Sequence, residues 1–189
     1  RQIVDWRENG CHSVPVAVNV SPKQFLDTDF LGLVMQTLMD SGIDGADLHL
    51  EITESCVMRE VDMVVEALLA LKQLNIKFAI DDFGTGFSSL NVLRKLPLDS
   101  LKIDRSFVAD AAEDEGSATV ISAIIGLANN LGLEVIAEGV ETEQDRRLLL
   151  QRGCTNMQGF YFARPQPIGE FTRMLLAGQN FLPELKLTA

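Results

Sequence analysis

Phe78-Ala79-Ile80-Asp81-Asp82-Phe83-Gly84-Thr85-Gly86 is the stretch that decides how the rest of the chain is read. An apolar β-type run ends in two adjacent carboxylates, and a glycine-spaced loop follows at once. Neighbouring side chains on a strand point to opposite faces, so Asp81 and Asp82 can serve one site only where the pleat is lost, at a strand end. Two close carboxylates resist ionising together unless a cation sits between them. Gly84 and Gly86 suit a tight loop that passes close to a ligand. The plainer alternative is a helix N-cap, a role Asp often fills after a strand.

The neighbouring segments show how such a strand is used. Upstream, residues 48–53 read as a strand and 61–74 as a helix with apolar residues at helical spacing. Before them, residues 14–20 form a β-rich run closed by Ser21-Pro22. Pro22 fits the first turn of a helix that continues to Gly42. Residues 1–10 read as the end of a helix stopped by Asn9-Gly10. Downstream, a short helix at 88–94 precedes a strand at 98–104, and a long helix fills 117–131. A strand at 133–137, a helix at 143–151, a strand near 155–162 and a helix from about Pro167 complete the chain. Strand and helix alternate with no two strands in succession, which predicts α/β architecture with a parallel sheet and crossover helices.

The chain has 189 residues, 47% of them hydrophobic, enough for one core and one domain. Its 27 Asp+Glu against 16 Lys+Arg give a formal net charge of −11. That excess argues against a nucleic-acid polymer as partner, because neutralising phosphates needs a basic face. A small phosphorylated ligand held through metal ions remains compatible. The apolar runs are too short or too interrupted to cross a bilayer, and no signal-peptide pattern opens the chain. Cys11, Cys56 and Cys154 are odd in number and widely spaced, which suggests reduced, buried thiols in a cytoplasmic domain without a cysteine metal motif.

Polar residues recur at the predicted strand ends: Asn19, Glu51, Asp81 with Asp82, Lys102, Glu138 and Gln158. In an α/β barrel the carboxyl ends of the strands carry the active site, so these residues are expected to converge there. Taken singly, Asn19 could be a turn residue, Glu51 a surface pair and Lys102 a solvated charge. Asn19, Glu51, Asp81, Asp82 and Glu138 are hard oxygen donors, suited to magnesium or manganese and not to zinc. His12 and His49 fall out of register and read as surface or packing residues. A shared carboxylate suits a two-metal phosphoester hydrolase, with ions about 3.5–4 Å apart. Lys102 would then stabilise charge on the phosphoryl oxygens. Glu138 would act either as general base toward the attacking water or as a ligand of the second ion.

These residues sit in segments that resemble the EAL domain family, bacterial phosphodiesterases that open cyclic di-GMP to linear pGpG. The matching segments are Asn19-Val20-Ser21, Glu51-Ile52-Thr53-Glu54-Ser55, Asp81-Asp82-Phe83-Gly84-Thr85-Gly86-Phe87-Ser88-Ser89-Leu90, Leu101-Lys102-Ile103-Asp104, Ala137-Glu138-Gly139-Val140-Glu141-Thr142 and Gln158-Gly159-Phe160. The resemblance implies a modified TIM (β/α)8 barrel using two Mg2+ or Mn2+ ions. By resemblance Asn19, Glu51, Asp81, Asp82 and Glu138 are metal ligands, and Lys102 and Glu138 act in catalysis. Glu54 steadies the loop after Asp82, and Ser88 lies in that loop. Glu141 and Gln158 look like substrate-contacting or supporting positions. A homodimer, with the 82–89 loop near its contact, and an upstream sensory or GGDEF-type domain are implied as partners. The domain itself is not expected to touch a membrane.

Two features depart from the family pattern. Phe87 stands where Tyr is more usual. The Glu-Ala-Leu signature, whose glutamate ligates metal and whose following arginine holds substrate, is absent, because Glu66-Ala67-Leu68 falls in the middle of a predicted helix. The chain is also shorter than the ~250 residues typical of such barrels. The expectation is one EAL-type domain over residues 1–189 that lacks its first strands and, prepared alone, has little activity. A catalytically inactive cyclic di-GMP receptor is the alternative. A glycosidase, needing only two carboxyl groups, fits the oxygen cluster less well.

Overall fold

The computed structural model describes residues 1–11, 14–25, 27, 29–57, 61–86, 89–112 and 114–177. Its strands are β1 (Val16–Val20), β2 (Leu48–Thr53), β3 (Lys77–Phe83), β4 (Ser100–Ile103), β5 (Glu134–Ala137) and β6 (Asn156–Met157). The helices are α1 (Gln2–Glu8), α2 (Pro22–Phe25), α3 (Phe30–Ser41), α4 (Glu54–Val57), α5 (Val61–Lys72), α6 (Leu90–Leu93), α7 (Arg105–Asp110), α8 (Glu115–Leu131), α9 (Glu143–Gln151) and α10 (Ile168–Leu176).

The strands form one sheet in the order β1-β2-β3-β4-β5-β6, and every neighbouring pair is parallel. A sheet that never reverses its strand order is wound as a barrel wall, not as a doubly wound sheet with a switch point. The described residues thus contain an arc of six parallel strands in a TIM-barrel-like α/β fold.

Alternation along the strands separates core from site. Phe78 and Ile80 of β3, Ile52 of β2 and Leu101 and Ile103 of β4 are fully buried. They pack with Leu68 and Leu71 of α5 and Ile121 of α8 in one apolar cluster. Each such side chain contributes about 1.5–3 kcal/mol on burial. The intervening residues, Glu51, Ala79, Asp81 and Lys102, take the opposite face. Helix α8 shows the matching logic. Its buried Ala118, Ile121, Ile125 and Ala128 recur at helical spacing, the Asp114 side chain accepts from Ser117 N, and Gly132 ends it at φ +72°.

Several boundaries differ from the sequence reading. The helix expected from Pro22 to Gly42 is two, α2 and α3. The Asp27 carboxylate accepts from Asp29 N at 3.0 Å, a local bond that competes with helix continuation. The strand expected near 155–162 is only Asn156–Met157, because the chain turns at Gly159. Asp104 is not a strand residue but the N-cap of α7, its side chain accepting from Ser106 N. Helices α4 and α7 were not anticipated. At the far side of the arc Trp6 Nε1 donates to Thr172 Oγ1 at 2.8 Å, so α1 packs on α10. Among the described residues no helix is long and apolar enough to cross a membrane.

Candidate active site

Strand β3 solves the problem of two adjacent carboxylates by a bulge, not by ending. Its register against β4 shifts between Ile80 and Phe83, and Asp82 takes a left-handed φ of +54°. The bulge breaks the pleat, so Asp81 and Asp82 turn toward the same place while Phe83 returns to the core. Asp82 N donates to Asp81 Oδ1 at 3.1 Å, which fixes the first carboxylate against the backbone of the bulge.

Lys102 lies at the centre, 3% exposed. Its Nζ is 2.6 Å from Glu51 Oε2, 2.6 Å from Glu138 Oε1 and 3.2 Å from Asp81 Oδ1. Burial alone would lower the ammonium pKa, but the bonds to Glu138 and Glu51 outweigh it and hold the group above its ordinary value. Burial pushes the Glu138 carboxyl up, partly offset by Lys102, with Asp81 and Glu51 adding to the rise. Gln158 Nε2 also donates to Glu138 Oε1, at 2.8 Å. Asp82 is raised by burial and by Asp81 and Asp104. Burial would raise Asp104 too, but Ser106 and Asp82 hold it below the ordinary range.

Ligand atoms of Asp81, Asp82 and Glu138 lie within 4.8 Å of one another, the spacing of a shared cation. Glu51 joins them through Lys102, and Asn19 stands opposite Glu51 in the β1–β2 register, exposed. The donors are all oxygens, and an ammonium already sits among three of the carboxylates. The set therefore fits a hard divalent ion. His49 pairs across from Ala17 and Lys77, two residues before Glu51 and so on the same face, one layer toward the amino ends of the strands.

Glu54 opens α4 and is 3% exposed. Its Oε2 accepts from Gly84 N at 3.1 Å and Gly86 N at 3.3 Å, so the loop leaving β3 is tied to the end of β2. A Cβ on Gly86 would lie 2.8 Å from Glu54 Oε1, so glycine permits this approach. Phe87, Ser88 and His12 lie outside the described residues.

A groove of about 580 Å³ opens beside Glu138, lined among others by Arg105, Glu141, Gln158, Phe160 and Arg164. The Arg164 guanidinium lies 4.4 Å from the centroid of the Phe160 ring. Asp104, Arg105 and Arg164 were missing from the sequence-derived set. Asp104 could have been found, since it lies two residues past Lys102 where a strand ends; Arg164, in a segment without periodicity, offered no such signal.

The fold and this cluster define a class: a TIM-barrel-like α/β domain with an oxygen-rich cluster, able to hold a cation, at the carboxyl ends of its strands. The EAL domain model matches residues 1–165, and the chain belongs to the EAL domain family. It is 40% identical over 167 residues to the bifunctional diguanylate cyclase/cyclic di-GMP phosphodiesterase MucR of Pseudomonas aeruginosa, covering 88% of this chain and 24% of MucR. The chain thus spans about a quarter of that relative's length. The MucR phosphodiesterase solved as a c-di-GMP complex superposes with a TM-score of 0.86 at 39% identity, over 90% of this chain and 69% of that one. The EAL domain of Mycobacterium smegmatis DcpA gives 0.89 at 38% identity, over 95% and 81%. A manganese/c-di-GMP complex of Klebsiella pneumoniae BlrP1 gives 0.76 at 31%, over 87% and 42%.

Proposed function

We propose that this domain hydrolyses cyclic di-GMP to linear pGpG, using two Mg2+ or Mn2+ ions, in bacterial second-messenger signalling. The observation that carries the reading is the buried Lys102 bound to Glu51, Asp81 and Glu138, with Asp82 beside them. Glu51, Asp81, Asp82, Glu138 and Asn19 would hold the ions. Bound there, divalent ions supply Lewis-acid polarisation of the phosphoryl group and a hydroxide-like nucleophile near neutral pH.

The chain's own groups do the rest. Lys102 presents positive charge where the phosphoryl oxygens gain negative charge. Glu138 accepts a proton from water through Oε2, while Oε1 is engaged by Lys102 and Gln158. Gln158 orients that carboxylate. Glu141 and Gln158 border the groove into which the dinucleotide extends. Glu54 keeps the loop after Asp82, with Ser88, in its working position. The reading extends to a homodimer and to an upstream sensory or GGDEF-type domain; the relative MucR is itself named as a diguanylate cyclase as well as a phosphodiesterase. Its cytoplasmic placement is in keeping with three free cysteines.

The test is turnover of cyclic di-GMP by the intact protein, with the product resolved by ion-pair chromatography. Metal-dependent release of pGpG is expected, with Asp81→Ala and Glu138→Ala each lowering kcat/KM by about 10³-fold. Binding of cyclic di-GMP without cleavage under Mg2+ and Mn2+ alike would assign the domain to the receptor class instead.

A further inference from the structure

The Lys102 ammonium lies within 3.2 Å of an oxygen of each of three carboxylates, Glu51, Asp81 and Glu138, and donates a hydrogen bond to Glu51 Oε2. In this arrangement the ammonium is held by carboxylates on three strand ends. The carboxylates it binds include two of the three that could share a metal ion, Asp81 and Glu138. We propose that Lys102 is the site's resident counter-cation, and that divalent ions must displace it from these carboxylates before it can face a substrate. The inference rests on the metal-binding part of the reading above and not on cyclic di-GMP as substrate.

The physical reasons are mutual. A buried group of carboxylates without a cation is costly, so an internal ammonium keeps the metal-free site folded and the oxygens converged. The same positive charge opposes a doubly charged ion a few ångströms away, so it raises the ion concentration needed for loading. Once ions neutralise the carboxylates, the ammonium loses its reason to stay on them, and its protons become available at the substrate side. Metal loading would then precede productive binding of a phosphodiester, and Lys102 would set the threshold.

Mn2+ titration calorimetry on the metal-stripped intact protein tests this. Lys102→Gln, which removes the charge at similar length, is expected to bind Mn2+ about tenfold tighter than the parent or more. Lys102→Arg, which keeps it, is expected to bind no tighter. Equal or weaker Mn2+ affinity in a folded Lys102→Gln protein would overturn the proposal. A second measurement covers the case in which that variant does not fold. In the parent protein labelled with 15N-lysine, the Lys102 ammonium resonance should be slow to exchange when metal is absent. On saturation with Mg2+ it should shift and exchange faster, and a resonance unchanged by Mg2+ would equally overturn the proposal. Neither readout involves turnover, so a failure of the phosphodiesterase reading is seen separately, in the chromatographic assay.

Discussion

Removing the Glu54 carboxylate should loosen both the fold and the site. Glu54 Oε2 accepts from Gly84 N and Gly86 N, and the residue is 3% exposed. A hydrogen bond to a charged group contributes about 1.5–3 kcal/mol net, so two bonds amount to roughly 3–6 kcal/mol. Part of that is offset, because Glu54 Oε1 is buried with no hydrogen-bond partner among the described residues, and its removal relieves a desolvation cost of about 1–3 kcal/mol. Glu54→Ala is therefore expected to cost about 2–4 kcal/mol, a fall in Tm of roughly 5–15 °C. Urea titration of the metal-free intact protein measures it. Glu54→Gln, which keeps one acceptor oxygen but not the charge, should cost about half as much. Because the untethered loop begins at Asp82, Mn2+ affinity should fall several-fold as well. A loss below about 0.5 kcal/mol for Glu54→Ala, the range of ordinary surface changes, would refute the tether.

Three further outcomes follow from the geometry. Asp82 has a raised folded-state pKa from burial, Asp81 and Asp104, so its contribution to stability is complete below the ordinary carboxylate pKa and is lost as pH rises through the raised value. Asp82→Asn should thus stabilise the metal-free protein at neutral pH, since Asn also accepts φ +54°; the advantage should vanish near pH 4 in paired urea titrations. Gly159→Ala would put a Cβ 2.1 Å from Val140 O, and should cost about 2–3 kcal/mol and, by moving Gln158, lower kcat more than it raises KM in steady-state kinetics. Chelation of the loaded protein should lower its stability by about 2.7 kcal/mol if the ions were at a hundred times their Kd, read as a drop in Tm by calorimetry.

How much of this was legible in the sequence depended on the length scale of the signal. The strands through Ile52, Ile80 and Leu101 are apolar runs between breakers, and their alternation with helices gave the parallel sheet. Chain order alone placed Glu51, Asp81, Lys102 and Glu138 at comparable points in successive strands. What did not show was local geometry. The bulge at Asp82 is a register shift between two strands, and no single-strand pattern carries it. The Asp27 carboxylate interrupts a helix that hydropathy reads as continuous. Helices α4 and α7 are too short for a periodicity of 3.6 residues to emerge, yet α4 carries Glu54 and α7 is capped by Asp104. Lys102 read as a catalytic charge; its ion pairs with three carboxylates from neighbouring strands are a property of the assembled sheet.

The central claim is that the carboxylates at the strand ends hold divalent ions at the point where a phosphodiester binds. Anomalous diffraction at the manganese edge, from crystals of the intact protein grown with Mn2+ and cyclic di-GMP, tests it most directly. Two anomalous peaks are predicted, coordinated by oxygens of Asp81, Asp82, Glu51, Glu138 and Asn19, with a phosphate of the ligand touching both. Cyclic di-GMP bound in the groove beside Glu138 with no manganese among those side chains would contradict it.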